Sequence, residues 1–253
     1  MPMRLDIHGV GLVTDRYGSV HEVAGSAGGE PGDLLRCATV LEESAVASHD
    51  VLAQLAIRAI HQAHSMARLE EISGEEIGLL FQTSWGMIDS TVAYLESMLA
   101  ENGKYASPRH FSRSVYSSAA SLAAIHFGIH GPCETLTFER EILSGPLRQA
   151  GRMLAARRCE RVIVVWAEQA SEVAGDLAVR AARQLHRREY EPYVRGGVGY
   201  GAIAAVVGLE GGIGSVEIGE LAMLDFAAIG EGEGKPFAME AAMGLVRRVL
   251  GGT

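Results

Sequence analysis

Glu139-Arg140-Glu141 sets three charges between largely apolar flanks, Thr135 to Phe138 and Ile142-Leu143. Carboxylates at the start of a helix are electrostatically ordinary, because they meet the positive end of its dipole. Two readings stand: a satisfied Arg–Glu cluster, and a catalytic position whose reactive side chain has been replaced. His61 and His64 fall at i and i+3 on one helix. That spacing can hold a metal, but no acidic or cysteine ligand nearby completes the set a site needs, so surface histidines are expected. Ser84 follows a strand in Gln82-Thr83-Ser84-Trp85-Gly86 but lacks the glycine two positions earlier that a nucleophile elbow requires. Ser144-Gly145-Pro146 opens a helix. Neither serine has an identifiable base, which serine hydrolysis demands. The glycines of Gly196 to Gly201 lead into a strand instead of opening a helix, so they offer no helix N-terminal amides to a phosphate. Neither a P-loop nor a strand-turn-helix GxGxxG occurs. Cys37, Cys133 and Cys159 form no CxxC or CxxH pair, which argues against a disulfide framework or structural zinc and fits a reducing compartment.

The elements that carry these residues follow from periodicity. Arg4 to Val13 reads as a strand. Ser48 or Asp50 caps a helix to about Leu69, with Leu52, Leu55, Ala56, Ala59, Ala63 and Met66 at helical spacing. Ile77 to Gln82 is a short buried strand, and Met87 to Glu101 a helix stopped by Gly103. Ser114 to Phe127 reads as one helix of small residues, closed by Gly128 and Gly131-Pro132. Thr135 to Phe138 is a strand, Ile142 to Arg158 a helix, and Arg161 to Ala167 a fully buried strand. Ser171 to Arg187 is a helix with a basic end, and Tyr200 to Leu209 a further strand. Strands separated by helices predict an α/β fold, a layered mixed sheet with helices on both faces. One domain over 1–253 is expected, with a core at 4–209 and a tail at 210–253 holding a strand (Gly214 to Ile218) and a helix (Phe237 to Leu250).

Composition narrows the function classes. The chain has 253 residues, 48% of them hydrophobic, so a sizeable core is expected and disorder is not. Its formal charge of −9 and 6% aromatic content leave no electrostatic footprint for nucleic acid. No apolar run reaches the length of a membrane span. The first residues lack a signal-peptide core, so a cytoplasmic location is expected.

The order of blocks resembles the N-terminal half of β-ketoacyl synthases, in the thiolase-like superfamily. Asp6 to Thr14 (DIHGVGLVT) is similar to the family's first strand and "TGxGxVSP" turn. Ser107-Pro108-Arg109-His110-Phe111, the small-residue helix and Ile125 to Pro132 (IHFGIHGP) resemble its "SPxxxP…N…A…I…GLxGP" run. Arg161 to Glu168 (RVIVVWAE) resembles "ADVMLAGGAE", and Glu191-Pro192-Tyr193 through Val207 resembles "RPFD…DGFVxGEGAGALVL". The likeness spans most of Arg4 to Leu209 and implies a thiolase-like half fold.

The departures carry the functional expectation. The family's cysteine nucleophile sits in "TACAxG" on the turn before a buried helix. Counting from Gly131-Pro132 puts Arg140 there, between Glu139 and Glu141, while Cys133 comes too early. An arginine forms no thioester and stays protonated. The family's "HGTGT" and "NxxFGFGG" blocks, with their histidines and lysine, are not found in this sequence. The resemblance therefore implies no carbon–carbon condensation by this chain alone, no catalytic residue, no metal and no cofactor. It also implies that Thr135, Leu136, Thr137 and Phe138 pair edge to edge across a dimer two-fold. A loop at His110-Phe111, and Val115 and Tyr116 on the following helix, would face a partner's active site. The helix after the turn loses its usual cover, and Arg148, Arg152, Arg157 and Arg158 suggest that one of its faces is solvated.

Three functions compete. The first is a non-catalytic subunit of chain-length-factor type, pairing as a heterodimer with an active β-ketoacyl synthase in polyketide, aryl-polyene or fatty-acid-like biosynthesis, and meeting acyl carrier protein indirectly. The second is a homodimeric scaffold or a module that binds acyl carrier protein. The third is an acyl-thioester enzyme whose acid–base work has moved to Glu139, Glu141 or His110.

Overall fold

The computed structural model describes residues 3–14, 50–100, 104–137, 141–169, 171–184 and 201–218. Within them lie β1 (Arg4–Thr14), α1 (Val51–Met66), β2 (Ile77–Gln82), α2 (Ile88–Leu99), α3 (Pro108–Ser114) and α4 (Ser118–Phe127). These are followed by β3 (Cys133–Leu136), α5 (Ser144–Ala155), β4 (Arg161–Glu168), α6 (Glu172–Gln184), β5 (Gly201–Gly208) and β6 (Gly214–Glu217). The described strands make one six-stranded mixed sheet in the order β3-β2-β4-β5-β1-β6. β2 runs parallel to β3 and β4; the β4–β5, β5–β1 and β1–β6 pairs are antiparallel.

Both faces of the sheet are buried, which is why β4 reads as an unbroken apolar run. Val162, Val164 and Trp166 enter the core beneath α5, while Ile163, Val165 and Ala167 enter the core beneath α1 and α4. β1 reaches the same division through a β-bulge. Its register against β5 shifts between Ile7 and Gly9. The extra residue, His8, puts Leu5, Ile7, Val10 and Leu12 on the α5 side despite their uneven spacing.

Beyond the bulge Gly9 and Gly11 face α1. A Cβ on Gly11 would stand 1.9 Å from the Ala59 carbonyl oxygen, and one on Gly9 2.3 Å from that of Ala63. Backbone meets backbone here, and no side chain can yield. Gly11→Ala is expected to cost about 1–3 kcal/mol or more. A melting temperature within a degree of wild type would contradict this packing. The same helix protects the strand edge left free where β6 ends. Gln62 accepts from the Leu12 amide at 3.2 Å and donates to the Leu12 carbonyl at 3.1 Å. Asp50 caps α1, accepting from the Leu52 amide at 3.2 Å and from the Ser90 hydroxyl at 2.6 Å.

Several expected boundaries change. The small-residue segment is two helices, because Val115 is extended between α3 and α4. His110 and Phe111 are therefore helical, and Val115 and Tyr116 lie in the connection between the helices. α2 ends at Leu99 with Ala100 extended, short of Gly103, which is outside the described residues. α1 stops at Met66 and α5 begins at Ser144. β3 starts at Cys133 and ends at Leu136, earlier than expected. The tail strand is present as β6; the expected helix Phe237 to Leu250 is outside the described residues.

Candidate functional site

Ligands of α/β sheets gather at the carboxyl ends of the parallel strands. Here those are the ends of β3, β2 and β4. The Thr83 amide donates to the Leu136 carbonyl at 3.1 Å and joins the β2 and β3 ends. At the end of β4 sits Glu168, a buried carboxyl. It accepts from the Ser84 amide, from the Thr83 hydroxyl at 3.3 Å and from the Trp85 amide at 3.4 Å. The Ser84 hydroxyl also bonds to it. Thr83 Oγ1 in turn accepts from the Gly86 amide at 3.0 Å, so the whole turn after β2 is folded around one carboxyl.

Burial raises the Glu168 pKa to about 7, and the hydrogen bonds from Ser84, Trp85 and Thr83 pull against it without prevailing. Gly86 has φ +58°, and a Cβ there would lie 2.8 Å from the Tyr116 ring. Tyr116 thus rests on this turn. Its hydroxyl is pushed up by burial and by the Glu168 charge. Alongside, Gln169 donates to Asp89 at 2.8 Å, and the Ser171 hydroxyl donates to the other oxygen of Asp89.

The start of α5 is held from below. The fully buried Trp166 indole donates from Nε1 to the Ile142 carbonyl at 2.7 Å. Phe138, Glu139 and Arg140 lie outside the described residues. Glu141 is exposed and pairs with Arg148 at 2.9 Å, while Arg148 also reaches Ser144 Oγ at 3.5 Å. Glu134 on β3 meets Gln149 at 2.9 Å and Arg158 at 3.5 Å. Arg152 is exposed, and the outer side of α5 is polar as expected.

Thr135 and Leu136 are half-buried on β3, at the edge of the described sheet, and Thr137 beyond them is exposed. Phe111, Val115 and Tyr116 are exposed, and His110 is half-buried. The fold gathers these last four around the α3–α4 connection, with Tyr116 against the β2 turn.

Neither described cysteine is placed or tuned as a nucleophile. Cys133 opens β3, at the opposite end from the site, and burial pushes its thiol up against an opposing bond from the Leu79 amide. Burial also pushes up Cys159, opposed by the Arg158 charge and the Gly78 amide. His64 stacks on Phe127 and lies 3.7 Å from Glu70; no cluster among the described residues could hold a metal. Glu168 is a functional candidate that the sequence reading missed; the signal was a lone carboxylate directly after the six-residue apolar run Val162 to Ala167. Ser84, which lacked a base in the sequence, has this carboxyl beside it.

Residues 52–174 match the family model "Beta-ketoacyl synthase, N-terminal domain". The matched segment is β-ketoacyl synthase-like, and the six-stranded mixed sheet with its helices has the α/β fold of ketosynthase structures. It is similar in fold to the ishigamide ketosynthase/chain length factor, with a TM-score of 0.65 and 18% identity over 81% of this chain and 62% of that one. A type II polyketide synthase acyl-carrier protein in complex with its ketosynthase bound to the hexaketide (AntDE:AntF) gives 0.64 and 15%, over 83% and 64%. This chain therefore spans less than two thirds of either of those two chains. The ketosynthase ApeO in complex with its chain length factor ApeC, from Xenorhabdus doucetiae, gives 0.57 and 14% over 83% of this chain and 81% of that one. No curated protein matches the chain in sequence. Among the described residues no helix is long and apolar enough to cross a membrane.

Proposed function

We propose that this chain is a non-catalytic ketosynthase-like subunit of chain-length-factor type, pairing with an active β-ketoacyl synthase in polyketide, aryl-polyene or fatty-acid-like biosynthesis. The observation that carries this reading is the exposure of Phe111, Val115 and Tyr116 around the α3–α4 connection. α4 packs against the edge strand β3, so strand edge and apolar residues lie on neighbouring elements. Large side chains exposed together mark an interaction surface. The likeness to ketosynthase and chain-length-factor complexes supports the same reading, as do the unfavourable surroundings of Cys133 and Cys159. The partner supplies the reactive thiol, and this chain shapes the wall against which the acyl chain lies.

Co-expression with a cysteine-bearing ketosynthase of the same genome tests it. A one-to-one complex is expected, with acyl carrier protein delivering acyl groups to the ketosynthase. Replacing Phe111, Val115 and Tyr116 by alanine together is expected to weaken that complex by about 30-fold or more, the scale of a hot-spot loss. Tyr116 also rests on the Gly86 turn, so the double variant Phe111→Ala/Val115→Ala is the control expected to weaken the complex with little change in melting temperature. Condensation by the purified chain alone, or a self-sufficient homodimer that ignores every ketosynthase, would overturn the proposal.

One observation favours a second reading, acyl-thioester chemistry by relocated acid–base groups. Glu168 titrates near pH 7 against the Ser84 hydroxyl, where a general base is most effective. Acyl-thioester hydrolysis lost in both Ser84→Ala and Glu168→Gln would support it; no hydrolysis by the wild-type chain removes it.

A further inference from the structure

The stretch from Lys104 to Cys133 contains Lys104, Arg109 and Arg113 but no aspartate or glutamate, so all 31 carboxylates of the protein lie elsewhere. The charge asymmetry coincides with the exposed apolar strip. Lys104 and Arg109 are exposed, and between and beyond them stand Tyr105 at 73%, Phe111 at 55% and Tyr116 at 43% exposure. α2, packed against α3, adds two carboxylates near this face. Asp89 is held by Gln169 and Ser171, and Glu96 is exposed. The surface is thus a cationic margin around an apolar centre, on a protein whose formal charge is −9.

A two-fold dimer is isologous, so this face would meet a copy of itself. Lys104 and Arg109 would then approach like charges, with the exposed Glu96 on α2 as an offsetting carboxylate near the face. Like charges in register disfavour a pairing, whereas opposite charges steer and select it. We infer that the surface carrying Lys104, Arg109 and Phe111 takes an acidic face of the ketosynthase partner and opposes pairing with a second copy of this chain. The inference rests on the proposed function and adds the chemistry that makes the pair a heterodimer.

The test uses light scattering of the full chain, alone and mixed with the co-expressed ketosynthase, at 50 and 500 mM NaCl, concentrations set by the screening scale of about 14 and 4 Å. The wild-type chain alone is expected to be monomeric at low salt. Its complex is expected to weaken at least tenfold at high salt, and at least tenfold on K104E/R109E at low salt. Both side chains are exposed, so the double variant is expected to keep the wild-type melting curve. A homodimer of the chain alone at 50 mM NaCl overturns the inference. So does a complex that K104E/R109E and salt leave intact, and in that case the proposed function survives. A monomer that binds no ketosynthase at either salt sinks the proposed function and with it the occupant assigned to this surface.

Discussion

Taking the wild-type chain from pH 4.5 to pH 8 is expected to remove about 3 kcal/mol of folding stability through Glu168, and Glu168→Gln to abolish that component. In the folded chain this carboxyl titrates near 7 because it is buried at the end of β4. Unfolded, it titrates near its ordinary value of 4.5. Between those two values the folded state holds a proton that the unfolded state has released. Stability therefore falls as pH rises through this window, and above pH 7 the full loss is in place. Most carboxylates in proteins act in the opposite sense, gaining stability on ionisation. The comparison that isolates Glu168 is thus wild type against variant, by urea melts at pH 5, 6, 7 and 8. Relative to the variant, the wild type should lose about 2.5 kcal/mol between pH 5 and pH 8, so the difference between the two curves shifts against the wild type as pH rises. Parallel curves would mean that the carboxyl is solvated and the turn is held otherwise. Glu168→Ala differs in kind. It strands the Ser84 and Trp85 amides and the Thr83 hydroxyl, each costing about 1–3 kcal/mol when buried without a partner, at every pH.

The sequence made the buried strands readable because both of their faces are covered. Ile77 to Gln82 is β2 without adjustment, and Arg161 to Ala167 is one residue short of β4. Helix α1 was legible from its spacing and its cap, Asp50. The break between α3 and α4 was not. Val115-Tyr116-Ser117 carries neither proline nor glycine, and the break comes from tertiary seating, with Tyr116 resting on Gly86 from a distant turn. The same limit hid the Glu168 network. Its partners, Thr83, Ser84 and Trp85, lie more than eighty residues away in sequence, and only the parallel pairing of β2 with β4 brings them together. Phe111, Val115 and Tyr116 were singled out by family resemblance alone, and all three are exposed. The α5 side with Arg148 and Arg152 was legible because cations at helical spacing belong on a solvated face.

Trp166→Ala is expected to cost about 3–5 kcal/mol, the range for deleting a buried aromatic ring. Trp166→Phe separates two contributions to that loss. Phenylalanine retains much of the packing under Leu143 and Leu147 but leaves the Ile142 carbonyl without the indole donor, at about 1–3 kcal/mol. The consequence should be local. Amide exchange at Ser144, Gly145 and Leu147, and proteolysis around Ile142, should accelerate in Trp166→Phe while β2 and β4 stay protected. A phenylalanine variant with wild-type stability and unchanged exchange would show that the indole only fills space. The location gives the result functional weight. The indole fills the floor beneath the start of α5 and fastens the Ile142 backbone above it. The chain has invested a large side chain in holding that turn still. Under the function proposed above, a turn fixed in this way serves as a wall that presents a constant surface to the partner.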